Sequence, residues 1–260
     1  QDPSFLLEAH HSQWSTRFWL GELNEARQHT DIGIQLYDPE KHGTHAYIYG
    51  GHDPGLCGLF FSAWTLWLLG YPKTALEPNR RAYELALQLS KEAFRNYAAI
   101  WGSLLSTLRS EPLSERDDLI RYTASFESNR SVFNLSDQCG AHVYRGSDLV
   151  RRGELDEGIV LLRKGLSLQP EAELRLRPYY LYLLAEALSE DGETNEALGL
   201  LEQAINVLRK SDESWWESAI HRLTGEILLV QNPAAEEQAE TLFMQAIDVA
   251  QTQNAKSLEL

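Results

Sequence analysis

The chain has 260 residues, with 38 acidic against 23 basic side chains and a formal net charge of −15. So large an acidic excess argues against a nucleic-acid groove, which needs clustered Lys and Arg, and against docking on anionic lipid. Two cysteines, Cys57 and Cys139, make no disulfide framework in a chain this long, so a reducing cytoplasm is the expected compartment.

Hydrophobic residues at 43% and charged residues at 23% are ordinary for a globular protein. One compact core would be near its size limit at this length, whereas a solenoid escapes that limit because each repeat packs only on its neighbours. The chain does not begin with methionine, and no signal peptide is expected from its opening residues. Its start lies in a helix-like segment, and Ala255–Leu260 looks like the opening of another helix. The expectation is a fragment of a longer protein.

In chain order, Phe5–Leu20 and Glu22–Leu36 are expected to form a first helical pair (residues 3–37). Trp14, Phe18 and Trp19 supply bulk that an N-terminal repeat would otherwise expose. Residues Tyr37–Gly51 are polar, glycine-rich and aromatic, an insertion of the kind that maps to one face of a repeat array, often the binding face. Asp53-Pro54 then offers an N-cap followed by a proline at the first helical position. From Pro54 to Pro72 there is no charge, long enough to suggest a membrane span. Gly55, Gly58, Ser62 and Thr65, together with the lack of flanking basic clusters, argue instead for a helix buried on several sides, with Phe60, Trp64 and Trp67 reaching an inner face.

Lys91–Leu108 with Leu113–Ser128, and Ser131–Arg152 with Glu154–Leu168, make the third and fourth pairs. Arg177-Pro178 opens the fifth, whose two halves share the string LYLLAEALSEDGETNEALGLLEQA (181–204). Leu181, Leu184, Ala185 and Leu188 form one apolar stripe, Asp191-Gly192 breaks it, and Ala197, Leu201 and Ala204 resume it. Ser214 with Glu217 reads as a capping box for the sixth pair, whose second helix should start at Pro233 and run from about Ala234 to Thr252. The repeats therefore fall at about 54–90, 91–128, 131–170, 174–210 and 214–252 after the first.

The internal pattern supports this division. Ala197, Leu201, Ala204 recurs as Gly158, Leu162, Gly165 and as Ala239, Phe243, Ala246, with weaker copies at Ala26, Thr30, Gly33 and Ala75, Asn79, Ala82. Gly21, Gly70, Gly153 and Gly192 each precede a copy by five positions and mark the turn. The predicted fold is all-α: an α-α superhelix of about six helix–turn–helix repeats, close to forty residues each. Gly146, Gly153, Gly158, Leu162, Gly165 and Pro170, and again Leu184, Ala185, Gly192, Ala197, Leu201 and Ala204, resemble the tetratricopeptide-repeat (TPR) signature, although the units are longer than usual.

A narrower resemblance rests on YGGHDPGLCGLFFSAWTLWLLGYP (49–72), RPYYLYLLAEAL (177–188), SWWESAIHRLTGEILL (214–229) and AKSLEL (255–260). These strings are similar to the C-terminal helical-repeat region of large bacterial signalling proteins. There, a class III nucleotide cyclase (or a DNA-binding domain) and a predicted nucleoside-triphosphatase module precede the repeats. None of those catalytic domains is present here, so the resemblance implies no enzymatic activity for this chain. What it implies is a scaffold or sensor that reports to upstream domains.

The residues that carry chemistry are few. His42, His45, His52, Asp53 and Cys57 form H-x2-H-x6-H-D-x3-C. Histidine and cysteine together can hold zinc, but this spacing matches no strong zinc pattern and Asp53 has a better role as N-cap. Hydrogen bonding and solvation are the commoner tasks of loop histidines, and contact with a small ligand or peptide comes next. There is no G-x-S-x-G elbow, phosphate loop, H-E-x2-H or C-x2-C, and Asp117-Asp118 and Glu236-Glu237 read as solvated helix faces. No cofactor and no metal ligand set is assigned.

Binding is the activity the pattern favours. In tetratricopeptide arrays the first helix of each pair lines the concave groove. On this chain that face carries Phe60, Trp64 and Trp67, then Tyr97, Ile100 and Leu104, then Tyr179, Tyr182 and Glu186, then Arg222 and Glu226; the alternative is that half of these simply fill space between repeats. With His52 in the insertion they are the candidate binding residues. Arg175, Arg177 and Arg222 do not make a carboxylate clamp, so an amphipathic helix, an apolar peptide, a small effector or an upstream domain of the same chain is the expected partner. The competing reading is a metal- or thiol-dependent enzyme, or a small-ligand site, centred on His42–Cys57.

Overall fold

A helix whose apolar residues form one stripe can bury that stripe only against a neighbour, and short connections fold neighbours back as antiparallel hairpins. The structure, a computed structural model, describes residues 2–111, 135–170 and 174–259. Twelve α-helices and no strands occur among the described residues. They are α1 (Pro3–Trp19), α2 (Leu23–Leu36), α3 (Pro39–His42), α4 (Pro54–Leu68), α5 (Leu76–Gln88), α6 (Glu92–Leu108), α7 (Leu135–Arg151), α8 (Leu155–Leu168), α9 (Arg177–Glu190), α10 (Thr194–Ser211), α11 (Glu217–Gln231) and α12 (Glu236–Gln253). Hairpins pair α1 with α2, α4 with α5, α7 with α8, α9 with α10 and α11 with α12; successive pairs pack on one another, with α6 standing between α4/α5 and α7. The partner expected for α6, Leu113–Ser128, and the pair Asp117-Asp118 lie outside the described residues.

Four hairpin turns pass through Gly21, Gly70, Gly153 and Gly192, at φ +74, +86, +84 and +88°. This left-handed conformation is open to glycine without a Cβ penalty and ends the first helix of each pair. Small residues then set how closely the helices approach. A Cβ on Gly158 would lie 2.8 Å from the Gly146 carbonyl oxygen, and one on Gly165 would lie 2.9 Å from that of Cys139. Backbones of α7 and α8 are therefore in contact.

Helix α4 is the central element. Fourteen of its fifteen residues are buried. Asp53 caps it, its Oδ1 accepting from the Leu56 N–H at 3.0 Å, while the Tyr37 hydroxyl donates to Oδ2 at 2.9 Å. No helix among the described residues is long and apolar enough to cross a membrane; α4 is uncharged because α1, α2, α5 and α6 surround it. Phe60 and Trp64 are fully enclosed there, Trp64 against Phe18, Phe61 and Trp101. Both are packed inside the array, and only Trp67 of the three keeps partial exposure.

The superhelix curves until its ends touch. Trp215, just before α11, is fully buried against Phe18 at 5.2 Å, Trp19 at 5.9 Å and Tyr179 at 5.3 Å between ring centroids. Phe18 and Trp19 thus cover no exposed end; they are the seam with the last repeat. The expected capping box does not form. Ser214 instead gives its N–H to the Trp19 carbonyl at 2.8 Å and its hydroxyl to the Leu20 carbonyl at 2.7 Å, and α11 starts without a side-chain cap. Nor does Ala255–Leu258 open a helix. Ala255 is buried, and Ser257 donates its N–H to the Leu68 carbonyl at 3.1 Å and its hydroxyl to that of Trp67 at 2.5 Å. Carbonyls at a helix C-terminus have no partner inside the helix. At α1 and α4, groups from the far end of the chain supply one.

Candidate functional site

Two places gather chemistry. The first lies where α1, the insertion and α4 meet. The insertion is not an open loop: α3 and a π-helical turn at Ala46–Gly50 fold it down, burying His42 and His45. The Asp38 N–H donates to His42 Nδ1 at 2.9 Å. On α1, Glu8 and His11 occupy the inward face. His11 Nδ1 is 2.9 Å from Glu8 Oε2, and His45 Nδ1 is 2.6 Å from Glu8 Oε1.

On its other side His11 presents Nε2 to His52 Nε2 at 3.0 Å. Cys57, 2% exposed at the start of α4, completes the group, and one ring nitrogen of each histidine and the Cys57 Sγ all lie within 4.8 Å of one another. Burial by itself would raise the Cys57 thiol, but the charges of His52 and His11 and their hydrogen bonds outweigh it and bring the thiol below its ordinary value. Burial likewise opposes a charged His11; the Cys57 thiolate and Glu8 overcome it and raise that imidazole to about 10. Each of these two groups acts as a charge on the other. Glu8 is kept below the usual carboxylate range because hydrogen bonds from His11 and His45 exceed its burial cost. Tyr97 closes the cluster from α6, stacked on His52 at 5.3 Å, its hydroxyl raised by burial and by the neighbouring Cys57.

Of this cluster the sequence pattern singled out His42, His45, His52 and Cys57, and separately Tyr97 as a groove residue. It missed Glu8 and His11, which lie far upstream. The signal was present: His11 falls on the buried stripe Leu7, His11, Trp14, Phe18 of α1, where a polar ring needs a partner.

The second place is a cavity of about 380 Å³ on the inner side of the superhelix, lined by Trp67, Arg151, Tyr179, Tyr182, Glu186, Trp216, Arg222 and Glu226 among others. Here the Tyr182 hydroxyl donates to Glu186 at 2.9 Å, Arg222 reaches that hydroxyl at 3.3 Å, and Arg222 pairs with Glu226 at 2.5 Å. Burial raises the Glu186 carboxyl above its ordinary value, against the pull of Tyr182, Arg151 and Arg222. Six of the candidate residues (Trp67, Tyr179, Tyr182, Glu186, Arg222 and Glu226) therefore share one cavity. Tyr97 and His52 belong to the first place. Phe60, Trp64, Ile100 and Leu104 are core.

No family model matches the chain. An uncharacterized protein of Rhizobium meliloti (strain 1021) is 28% identical over 269 residues, covering 99% of this chain and 25% of its own. The chain thus spans about a quarter of the length of that relative. The crystal structure of Bacillus thuringiensis PlcR in complex with the peptide PapR7 and DNA superposes with a TM-score of 0.64 at 15% identity, over 91% of this chain and 84% of PlcR. The fold is an all-helical, TPR-like solenoid. The same match overturns the exclusion of nucleic acid drawn from net charge, since a protein of this fold is solved with DNA as well as a peptide. Net charge sums over the whole chain and does not limit what one patch, or one protein of the fold, engages.

Proposed function

We propose that this chain is a non-catalytic, peptide-binding regulatory module whose ligand enters the inner cavity. The carrying observation is the convergence there of Trp67, Tyr179, Tyr182 and Trp216 with the ionic set Arg151, Glu186, Arg222 and Glu226. Aromatic walls with a few convergent polar groups are the usual make-up of a recognition site. A volume of about 380 Å³ suits one or two side chains of a peptide or a small effector rather than a whole helix. PlcR, solved with a peptide, supports a regulatory role for the fold. The relative four times as long suits a module that reports to other domains, and a cyclase–nucleoside-triphosphatase signalling protein is the parent that the sequence resemblance suggests.

The ionic set is also why the ligand should carry both an apolar group and a charge. Arg222 and Glu226 pair with one another at the mouth, so either can be redirected to a ligand of opposite sign without uncovering a buried charge. A displayed peptide library panned against the protein tests this. Peptides that quench tryptophan fluorescence on binding, and lose at least about tenfold in affinity (about 1.4 kcal/mol) in Arg222→Ala at unchanged thermal stability, support the reading. A library that enriches nothing, or hits indifferent to Arg222→Ala and Tyr182→Phe alike, defeats it.

A further inference from the structure

We infer that His11, His52 and Cys57 form a binding site for a single divalent transition metal ion, zinc being the best match, that pins the insertion to the first two repeats. It is independent of the inner cavity.

Two imidazoles and a thiol are a zinc-type combination of borderline and soft ligands, and Cys57 adds the selectivity against magnesium and calcium that carboxylates lack. Geometry follows. A tetrahedral zinc ion with ordinary bond lengths holds two nitrogens about 3.3 Å apart and a nitrogen and a sulfur about 3.6 Å apart. His11 Nε2 and His52 Nε2 are 3.0 Å apart, and no pair among the three donor atoms exceeds 4.8 Å. The tetrahedral separations fall between these two values.

The surrounding shell makes the case specific. Glu8, an acceptor only, takes the Nδ1 hydrogen of His11, so a neutral His11 must turn its lone pair on Nε2 toward Cys57 and His52. A carboxylate behind the distal nitrogen of a histidine is the usual support of a ligating imidazole. The second oxygen of Glu8 is fixed in turn by His45, and Tyr97 lies flat against His52. Both rings are therefore oriented without an ion. Three protein donors leave a fourth position, and His52, the least buried of the three, marks the side from which an ion or an exchangeable ligand enters.

The half-buried pair His10 and His29 of the first repeat, with Nδ1 atoms 2.8 Å apart, has no thiol and serves as an internal control. The test uses purified protein stripped of metal and titrated with Zn2+ and Co2+. One equivalent of Co2+ should bind and show a thiolate-to-metal charge-transfer band with the intense visible bands of a tetrahedral site. Zn2+ should displace it and raise the thermal midpoint. Cys57→Ser and His52→Ala should each lose the site, with affinity falling by more than about 100-fold, and Glu8→Ala should weaken it about 10- to 100-fold. His10→Ala should change nothing. Because the Co2+ spectrum is read on the unmodified protein, a variant that fails to fold does not decide the matter. Co2+ that binds without the sulfur band, binding equal in Cys57→Ser, or no binding at one equivalent overturns the inference.

Discussion

Glu213 shows how one buried carboxyl takes part in the seam. It is 3% exposed, and its Oε1 accepts from the Trp215 indole at 2.7 Å and from the Leu176 N–H at 3.4 Å. Burial outweighs these bonds and pushes its pKa from 4.5 up to about 7. Between those values the folded protein holds the proton more tightly than the unfolded chain does, so stability is full at acid pH and declines as pH rises through this window. The loss above neutrality is on the order of 3 kcal/mol. Glu213→Gln keeps an acceptor for Trp215 and removes the charge. The two proteins should have equal denaturant midpoints at pH 4, with the variant the more stable at pH 8; a wild-type lead at pH 8 contradicts this. Legibility at this scale depended on reach along the chain. Asp53 could be read as an N-cap from the proline beside it, because capping is local. His11 could not be joined to Cys57, since nothing in a spacing pattern records which helix faces which.

Among elements, close backbone approach divides the glycines into those that packing requires and those it tolerates. Gly158 in α8 faces the Gly146 carbonyl oxygen and the Val150 side chain, with an added Cβ 2.8 and 2.5 Å away. Gly158→Ala should therefore force α7 and α8 apart and cost about 1–3 kcal/mol. Gly199 lies in the middle of α10 with nothing within 4 Å of an added Cβ, so Gly199→Ala should stabilise by about 0.5–1 kcal/mol through helix propensity and a less flexible unfolded chain. Urea melts of the two variants should move in opposite directions. The repeats were legible for the same reason: small residues and turn glycines recur because each hairpin solves the same steric problem. The insertion was not. Its π-helical turn and short α3 carry no periodicity, and their burial depends on histidines whose partners lie on α1.

For the whole molecule, the decisive fact is that the two ends of the array are joined. A repeat stack is usually held by nearest-neighbour contacts alone, so that each interface contributes its own increment. Here Trp215, Ser214 and Ser257 add a long-range closure between the last repeat and the first two. Sequence periodicity reports neighbours and says nothing of curvature, so the five hairpins among the described residues were readable and their closure was not. Trp215→Ala should remove the ring that Phe18, Trp19 and Tyr179 share and cost about 3–5 kcal/mol. Its signature is shape as well as stability: small-angle scattering should give a larger radius of gyration, while far-ultraviolet circular dichroism stays helical. Ser214→Ala is the milder control, losing the hydroxyl's bond to the Leu20 carbonyl and its longer one from the Gln253 amide, together worth about 1–2 kcal/mol, with little change in size. If Trp215→Ala lowers stability but leaves the radius unchanged, the ends are held elsewhere. If the radius grows and peptide binding fails together, the inner cavity exists only because the array closes, since Trp67 and Trp216 face it from opposite ends of the chain.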